Sequence, residues 1–383
     1  MSRKKVKIVY TGGTITGVGK LNSKTIDNKL EPKVHKSEPE VFMDHLIKNK
    51  DLHKDFPHLE EEIDLSYSVP VNKFSEELTP NDRIKISKDV FKAINEGNDG
   101  IIVIHGTDTL TYTSSAISFI VRGIDIPVVL TGSNHPLTFP ETDAIRNFSD
   151  ALFVATDEKT HECFKGVFVV FSGQKDELST IHLGTRVRKM RFSDNCFKSW
   201  NCSPIGVIRR NGDKKRYVKF LNKDLLDQVR LKNEKAILER IDKIDTNIGV
   251  FKICDFFDPV NIERALNKGV FGIILELYNS GTGPTIDPPY SLLDSLYLAR
   301  EKHVPVFAAS QHEGKVEMNG YKSSINMKKM GVEPLKDMEI GAALWKLAVA
   351  GGQTEKYRKK PEDRCEKIKE IMVKKNIVGE IEV

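Results

Sequence analysis

Cysteine is scarce: there are five in 383 residues, at positions 163, 196, 202, 254 and 365, and no two form a CxxC pair. That excludes a disulfide framework and a cysteine-based zinc site, and it fits a reducing, cytoplasmic setting. No apolar run nears the ~18 residues that a membrane helix needs. The amino end, MSRKKVKIVYTGGT, is basic but has neither an apolar signal core nor a small-residue cleavage site, so secretion is not expected. The histidines at 105, 135, 161, 182 and 312 are dispersed and none forms HExxH, so no metal is expected and no cofactor. Charge of one sign is not in large excess. Fifty-nine Lys+Arg against 54 Asp+Glu leave +5, which alone is no argument for nucleic acid.

What is present is a globular composition, with 39% hydrophobic and 30% charged residues, in a chain long enough for two or three domains. Continuous apolar runs at 5–10, 100–106, 127–132 and 165–173 end in Gly, Gly-Thr or Ser-Gly. Runs without alternation indicate strands buried on both faces, as in a parallel sheet covered by helices. Helical patterns lie between them, over 80–97, 109–122 and 142–156, the last opening with a Thr142-Asp143 capping signal. The stretch 206–245 turns Lys-rich and reads as a linker with peripheral elements and a solvated face. Alternation resumes at 247–254, 271–283 and 304–310. The expected fold is α/β, with a larger N-terminal catalytic domain over 1–205, the linker over 206–245, and a smaller C-terminal parallel-sheet domain over 246–383.

Two strand ends carry candidate chemistry. Thr11-Gly12-Gly13-Thr14 follows the first strand, and its glycines let the backbone turn sharply and project the next side chain into a crevice. Thr14 is thus a candidate nucleophile, with a plain glycine-rich turn as the alternative. The motif is neither GxGxxG nor a P-loop. His105-Gly106-Thr107-Asp108-Thr109 ends another buried strand. Its hydroxyls and carboxylate suit a small polar substrate or a proton relay, while a helix cap is the simpler alternative. Lys189 sits in a basic run, where a lysine is ordinarily solvated. Desolvated beside Thr107, it becomes a proton acceptor.

Taken together, TGGTI at 11–15, HGTDTL at 105–110 and RVRKMRFSDNCFKS at 186–199 resemble the bacterial-type L-asparaginase/glutaminase family. LTGSNHPL at 130–137, SGTG at 280–283, SQ at 310–311 with GKVEM at 314–318, and the tail GVEPLKDMEIGAALWKLAVA extend the resemblance over nearly the whole chain. The resemblance implies an amidohydrolase that releases ammonia from L-asparagine or L-glutamine. Thr14 matches the family's nucleophile, and Thr107, Asp108 and Lys189 match its second catalytic group. Ser75 and Glu76 fall where the family contacts substrate, as does Gly13, and the backbone at Ser133 falls where it supports the amide leaving group. A homodimer or a dimer of dimers is implied too. The chain departs from the family in three places. No tyrosine occurs in 15–33, Phe74 replaces an aspartate before Ser75, and Glu76 is a carboxylate where Ser or Gln is usual.

Three activities are compatible with these residues. One is a stand-alone L-asparaginase. The second is the amidase component of the archaeal glutamyl-tRNA(Gln) amidotransferase, which would pass ammonia to a partner and bring the protein to nucleic acid. The Ser-Glu-x-Leu-Thr-Pro form around Ser75 is closer to that component, whereas only ten residues precede Thr11, where it has an additional domain. The third is an amino-acid sensor on the same scaffold, which the missing tyrosine motivates and the retained Thr14, Thr107, Asp108 and Lys189 oppose.

Overall fold

The computed structural model describes residues 3–19, 34–172, 179–191, 195–211 and 215–382. The chain divides into two compact units, Met1–Ser199 with Ser203–Arg240, and Trp200–Cys202 with Ile241–Val383.

The first unit is built on an eight-stranded sheet. Its strands are Lys4–Tyr10 (β1), Ile63–Ser68 (β2), Gly100–Ile104 (β3), Pro127–Thr131 (β4), Gly166–Ser172 (β5), Ser179–Leu183 (β6), Gly206–Arg210 (β7) and Arg216–Phe220 (β8). The spatial order is β8-β7-β6-β5-β4-β3-β1-β2. The first five strands run parallel, with Ile8 opposite both Tyr67 and Ile102, and Ile102 opposite Val129. Every residue of β3, β4 and β5 is buried, as their unbroken apolar runs require. The helices Pro80–Asn95, Leu110–Ile120 and Ala144–Thr156 connect these strands. Strand β1 lies between β2 and β3, so the direction of winding reverses between β1 and β3. Crevices outside the carboxyl ends of strands at such a reversal are where open α/β sheets bind ligands.

From β5 onward the pairing is antiparallel, which the continuous runs did not anticipate. Part of 206–245, expected as a linker, completes the sheet, as β7 and β8. The charged character of β8 has a physical cause. Tyr217 and Lys219 are exposed on one face, while Val218 and Phe220 pack on the core of the other. A half-exposed edge strand carries its apolar residues at every second position and so reads as polar.

The second unit has four parallel strands, Ile248–Lys252 (β9), Gly272–Leu277 (β10), Val306–Ser310 (β11) and Val332–Pro334 (β12), ordered as numbered. Ile273, Leu275, Leu277, Val306 and Ala308 pack with Ile262, Leu266, Leu292 and Leu296 in its core. Among the described residues no helix is long and apolar enough to cross a membrane.

One charge pair is sealed inside this unit. Lys346, on the helix Ile340–Gln353, meets Glu380 at 2.7 Å, and both side chains are fully buried. The lysine also donates to the carbonyls of Met372 and Lys375, and the carboxylate accepts from the amides of Ile377 (3.0 Å) and Val378 (2.8 Å). Removing one partner leaves a buried charge without compensation, at a cost of roughly 3–5 kcal/mol. Glu380→Ala should therefore lower the thermal midpoint strongly, and Glu380→Leu combined with Lys346→Met should recover much of it. Equal midpoints for the single and double variants, measured by calorimetry, would contradict this.

Candidate active site

The β1 and β3 ends converge because glycines allow it. Gly12 and Gly13 have φ of +94° and +91°, a region that L side chains avoid. A β-carbon on Gly13 would lie 2.3 Å from the Gly106 nitrogen, and one on Gly12 would lie 2.5 Å from the Lys73 carbonyl. The Thr11 hydroxyl donates to the Ile104 carbonyl at 2.8 Å, pinning the first turn to β3. Thr14 then opens a short 3-10 turn, Thr14–Thr16, closed by the Thr16 hydroxyl on the Gly13 carbonyl at 2.9 Å. Thr14 is half-buried.

A cavity of about 160 Å³ is lined by Gly13, Thr14, Phe74, Ser75, Glu76 and Asp108. Five of the eight residues singled out from the sequence therefore share one wall. Thr107 and Lys189 stand behind it. Lys189 Nζ donates to the Thr107 hydroxyl at 2.7 Å and to the Asp108 carboxylate at 2.6 Å, across 82 and 81 residues of chain. The lysine side chain is 15% exposed and the Asp108 side chain 61%, so the pair reaches from the interior to the cavity. Ser133 does not line the cavity. It is fully buried at the end of β4, and its hydroxyl donates to the His135 carbonyl. Of the segment without tyrosine, 15–33, residues 20–33 lie outside the described residues.

Several supporting residues were not read from the sequence. His105 is fully buried. Its Nδ1 lies 2.7 Å from the Gly106 carbonyl, which can only accept, so Nδ1 carries the proton and Nε2 accepts from the Thr113 hydroxyl at 2.8 Å. Burial, reinforced by the nearby Arg83 charge and opposed by the Gly106 bond, pulls its pKa down to about 4, which leaves a neutral imidazole. The Ser75 turn is held from two sides. Thr109 donates to the Ser75 carbonyl at 2.7 Å, and Lys73, two residues before Ser75, donates to Asp82 at 2.8 Å. Asp82 and Thr79 form a capping box at the start of the helix Pro80–Asn95, and the Thr79-x-x-Asp82 spacing is the signal that could have revealed it. Thr142-Asp143 behaves otherwise than a simple cap. Thr142 accepts from the Ala144 amide at 3.1 Å, while Asp143 turns to the loop after β4.

The sequence and the fold have counterparts in known proteins. Residues 5–221 match the family model described as asparaginase, N-terminal, and residues 247–362 that described as glutaminase/asparaginase C-terminal domain. The chain belongs to the asparaginase family. Among curated relatives, a glutamyl-tRNA(Gln) amidotransferase subunit of Pyrococcus abyssi is 33% identical over 87% of this chain and 70% of its own length. The corresponding subunit of Pyrococcus horikoshii is 31% identical over 80% of this chain and 66% of its own length, just under two thirds. Among solved structures, the thermostable L-asparaginase from Thermococcus kodakarensis is 30% identical, covers 99% of both chains and superposes with a TM-score of 0.77. L-asparaginase I from Vibrio cholerae is 25% identical over 100% of both, with a TM-score of 0.72.

The Asp82 carboxyl yields a pH prediction. Burial pushes its pKa up, but the Lys73 ammonium and the Thr79 amide and hydroxyl outweigh that and hold it at about 2. The folded value lies below the unfolded one, near 4. The stabilisation is thus complete above pH 4 and is lost as pH falls through 2. The stability gap between wild type and Asp82→Asn should be widest near neutrality and close between about pH 4 and 2. A gap that is constant over that range in a denaturation series would refute the assignment.

Proposed function

We propose that this protein is a threonine amidohydrolase that converts L-asparagine to L-aspartate and ammonia in the cytoplasm, without a cofactor. The observation that carries the reading is the contact of Lys189 with both Thr107 and Asp108 behind the wall that holds Thr14. A primary amide is a poor electrophile, so an acyl-enzyme divides its hydrolysis into two easier steps. The Thr14 oxygen attacks the side-chain carbonyl carbon and gives its proton to the Lys189–Thr107 relay. The carbon–nitrogen bond then breaks, and the nitrogen leaves with a proton as ammonia. Water attacks the ester, releases the acid and restores the hydroxyl. Backbone N–H groups at the two strand-end turns, Gly13 among them, suit the developing oxyanion. Ser75 and Glu76 are assigned to the α-carboxylate and α-ammonium of the substrate. The choice between L-asparagine and L-glutamine rests on about one methylene of pocket length, worth roughly 1–3 kcal/mol.

A second reading draws on the likeness to the amidotransferase subunits. In it the same chemistry feeds ammonia to a partner that acts on tRNA. The decisive experiment measures ammonia release by the purified protein alone from L-asparagine and from L-glutamine. Rapid turnover of L-asparagine supports the first reading, and turnover that appears only with an added partner supports the second. Binding without ammonia release points to an amino-acid sensor.

Thr14→Ala should reduce ammonia release by at least about 10³-fold with the fold retained, whereas Thr14→Ser should keep part of the rate. Lys189→Met should remove nearly all activity, and Lys189→Arg should not restore it, because a guanidinium does not give up its proton. Thr107→Ala combined with Lys189→Met should cost little more than either alone, as for groups acting as one unit. Losses that multiply would show two independent roles. The active species should sediment as a dimer or tetramer, and a fully active monomer would refute the assembly.

A further inference from the structure

Lys189 reaches Thr107 and Asp108 from a hairpin that stands apart from the large sheet. Its strands, Val187–Lys189 and Phe197–Ser199, pair antiparallel with each other and, among the described residues, with no strand of the large sheet. Val187 lies opposite Ser199, and Lys189 opposite Phe197. No ladder of backbone hydrogen bonds to the large sheet therefore sets the height at which the lysine meets its partners. Other contacts must set it.

Three contacts fasten this hairpin. The Gly184 carbonyl, in the turn before it, accepts from the Ser114 hydroxyl of the helix Leu110–Ile120 at 2.6 Å. The Phe197 ring meets Phe171 of β5 edge-on, with centroids 4.9 Å apart. His182 of β6 shares a hydrogen bond of 2.7 Å with the Ser199 hydroxyl through Nδ1. The register pairs Val169 with His182 and Phe171 with Thr180, so His182 and Phe171 stand on one face of the large sheet. A ring contact can slide, whereas a hydrogen bond fixes direction as well as distance.

The histidine is not what packing alone would place there. Its neighbours Ile181 and Leu183 point into the core of the opposite face. A strand buried on both faces ordinarily carries an apolar residue at the intervening position as well. His182 is 2% exposed, and a polar group so buried is costly unless it is hydrogen-bonded. Burial lowers its pKa to about 3, so the ring stays neutral around neutral pH and the bond to Ser199 keeps its character there. The proposed mechanism uses neither His182 nor Ser199.

We propose that His182 is a positioning residue: its bond to Ser199 seats the hairpin so that the Lys189 nitrogen meets Thr107 and Asp108. The inference rests on the amidohydrolase reading above. Ser75 and Glu76, assigned to the substrate, belong to a separate segment of chain, so loss of the bond falls on the chemical step and spares binding.

The test follows ammonia release from L-asparagine by the purified protein, with kcat and KM determined separately and folding checked by circular dichroism. His182→Leu should lower kcat about tenfold or more and change KM less than about twofold, since displacing a catalytic group by about 1 Å can cost up to ~10²-fold. Ser199→Ala removes the same bond from its other end and should show the same split. The two substitutions together should cost little more than either alone. His182→Asn sets an amide group as many bonds from the backbone as Nδ1 and should recover part of the kcat lost in His182→Leu. Unchanged kcat in folded His182→Leu, losses that multiply in the double variant, or no recovery in His182→Asn overturn the role of His182. If His182→Leu does not fold, Ser199→Ala is judged by the same split between kcat and KM. Wild-type protein inert towards both L-asparagine and L-glutamine would overturn the amidohydrolase reading, and this inference with it. An active wild type with unchanged kcat in Ser199→Ala overturns this inference alone.

Discussion

Three strand-end turns nest without side chains between them, and the geometry of the cavity depends on that contact. Gly13 and Gly106 meet backbone to backbone, with no room for a β-carbon on the former, while one on Gly106 would lie 2.8 Å from both the Cβ and the Oγ of Ser75. Gly132 abuts the His105 carbonyl in the same way. Any side chain at Gly13 would push β1 and β3 apart at their carboxyl ends, where the winding of the sheet reverses. Thr14, Ser75 and Asp108 would then leave their common wall, although none of them had been changed. Catalytic geometry tolerates displacements of only about half an ångström, so these glycines govern the site as firmly as the hydroxyls do.

Around this contact the polar groups are arranged in layers. Asp108 and Ser75, which line the cavity, are held by groups that do not line it: Lys189, which also meets Thr107, behind Asp108, and Thr109 and the Lys73–Asp82 pair behind the Ser75 turn. The neutral, buried His105 ties the Gly106 carbonyl to the helix Leu110–Ile120 through Thr113. Each of these partners lies on a helix or strand or directly beside one, which limits the freedom of the loops.

Much of this was legible in the chain. The continuous apolar runs disclosed β1, β3, β4 and β5 because strands buried on both faces have no polar alternation to obscure them, and the glycine-threonine signals marked where they end. Three kinds of feature were not legible. Strands β2, β6, β7 and β8 are edge, short or antiparallel, and their mixed composition resembles that of loops. The approach of Lys189 to Thr107 spans 82 residues, and nothing local to either encodes it. Asp143 carries a capping signal, yet its carboxylate serves a different loop: Thr142 accepts from the Ala144 amide, and Asp143 accepts from the amides of Asn134 and His135 instead.

The hairpin formed by β7 and β8 bears on how the molecule behaves among its own copies. Strand β8 ends the large sheet, so one row of its backbone amides and carbonyls lacks a neighbouring strand in the sheet. Such a border is a template on which another unfolded or partly folded chain can add a strand and begin an aggregate. Here the border is short, at five residues, and Lys215 and Lys219 are exposed along it, while Arg216 turns inward to Asp55 and Asp150. A strand docking there would have to bury lysine charge beside its own backbone. The Lys-rich composition of this stretch thus acts as a guard on the sheet border that keeps a crowded solution of the protein from polymerising through its largest sheet.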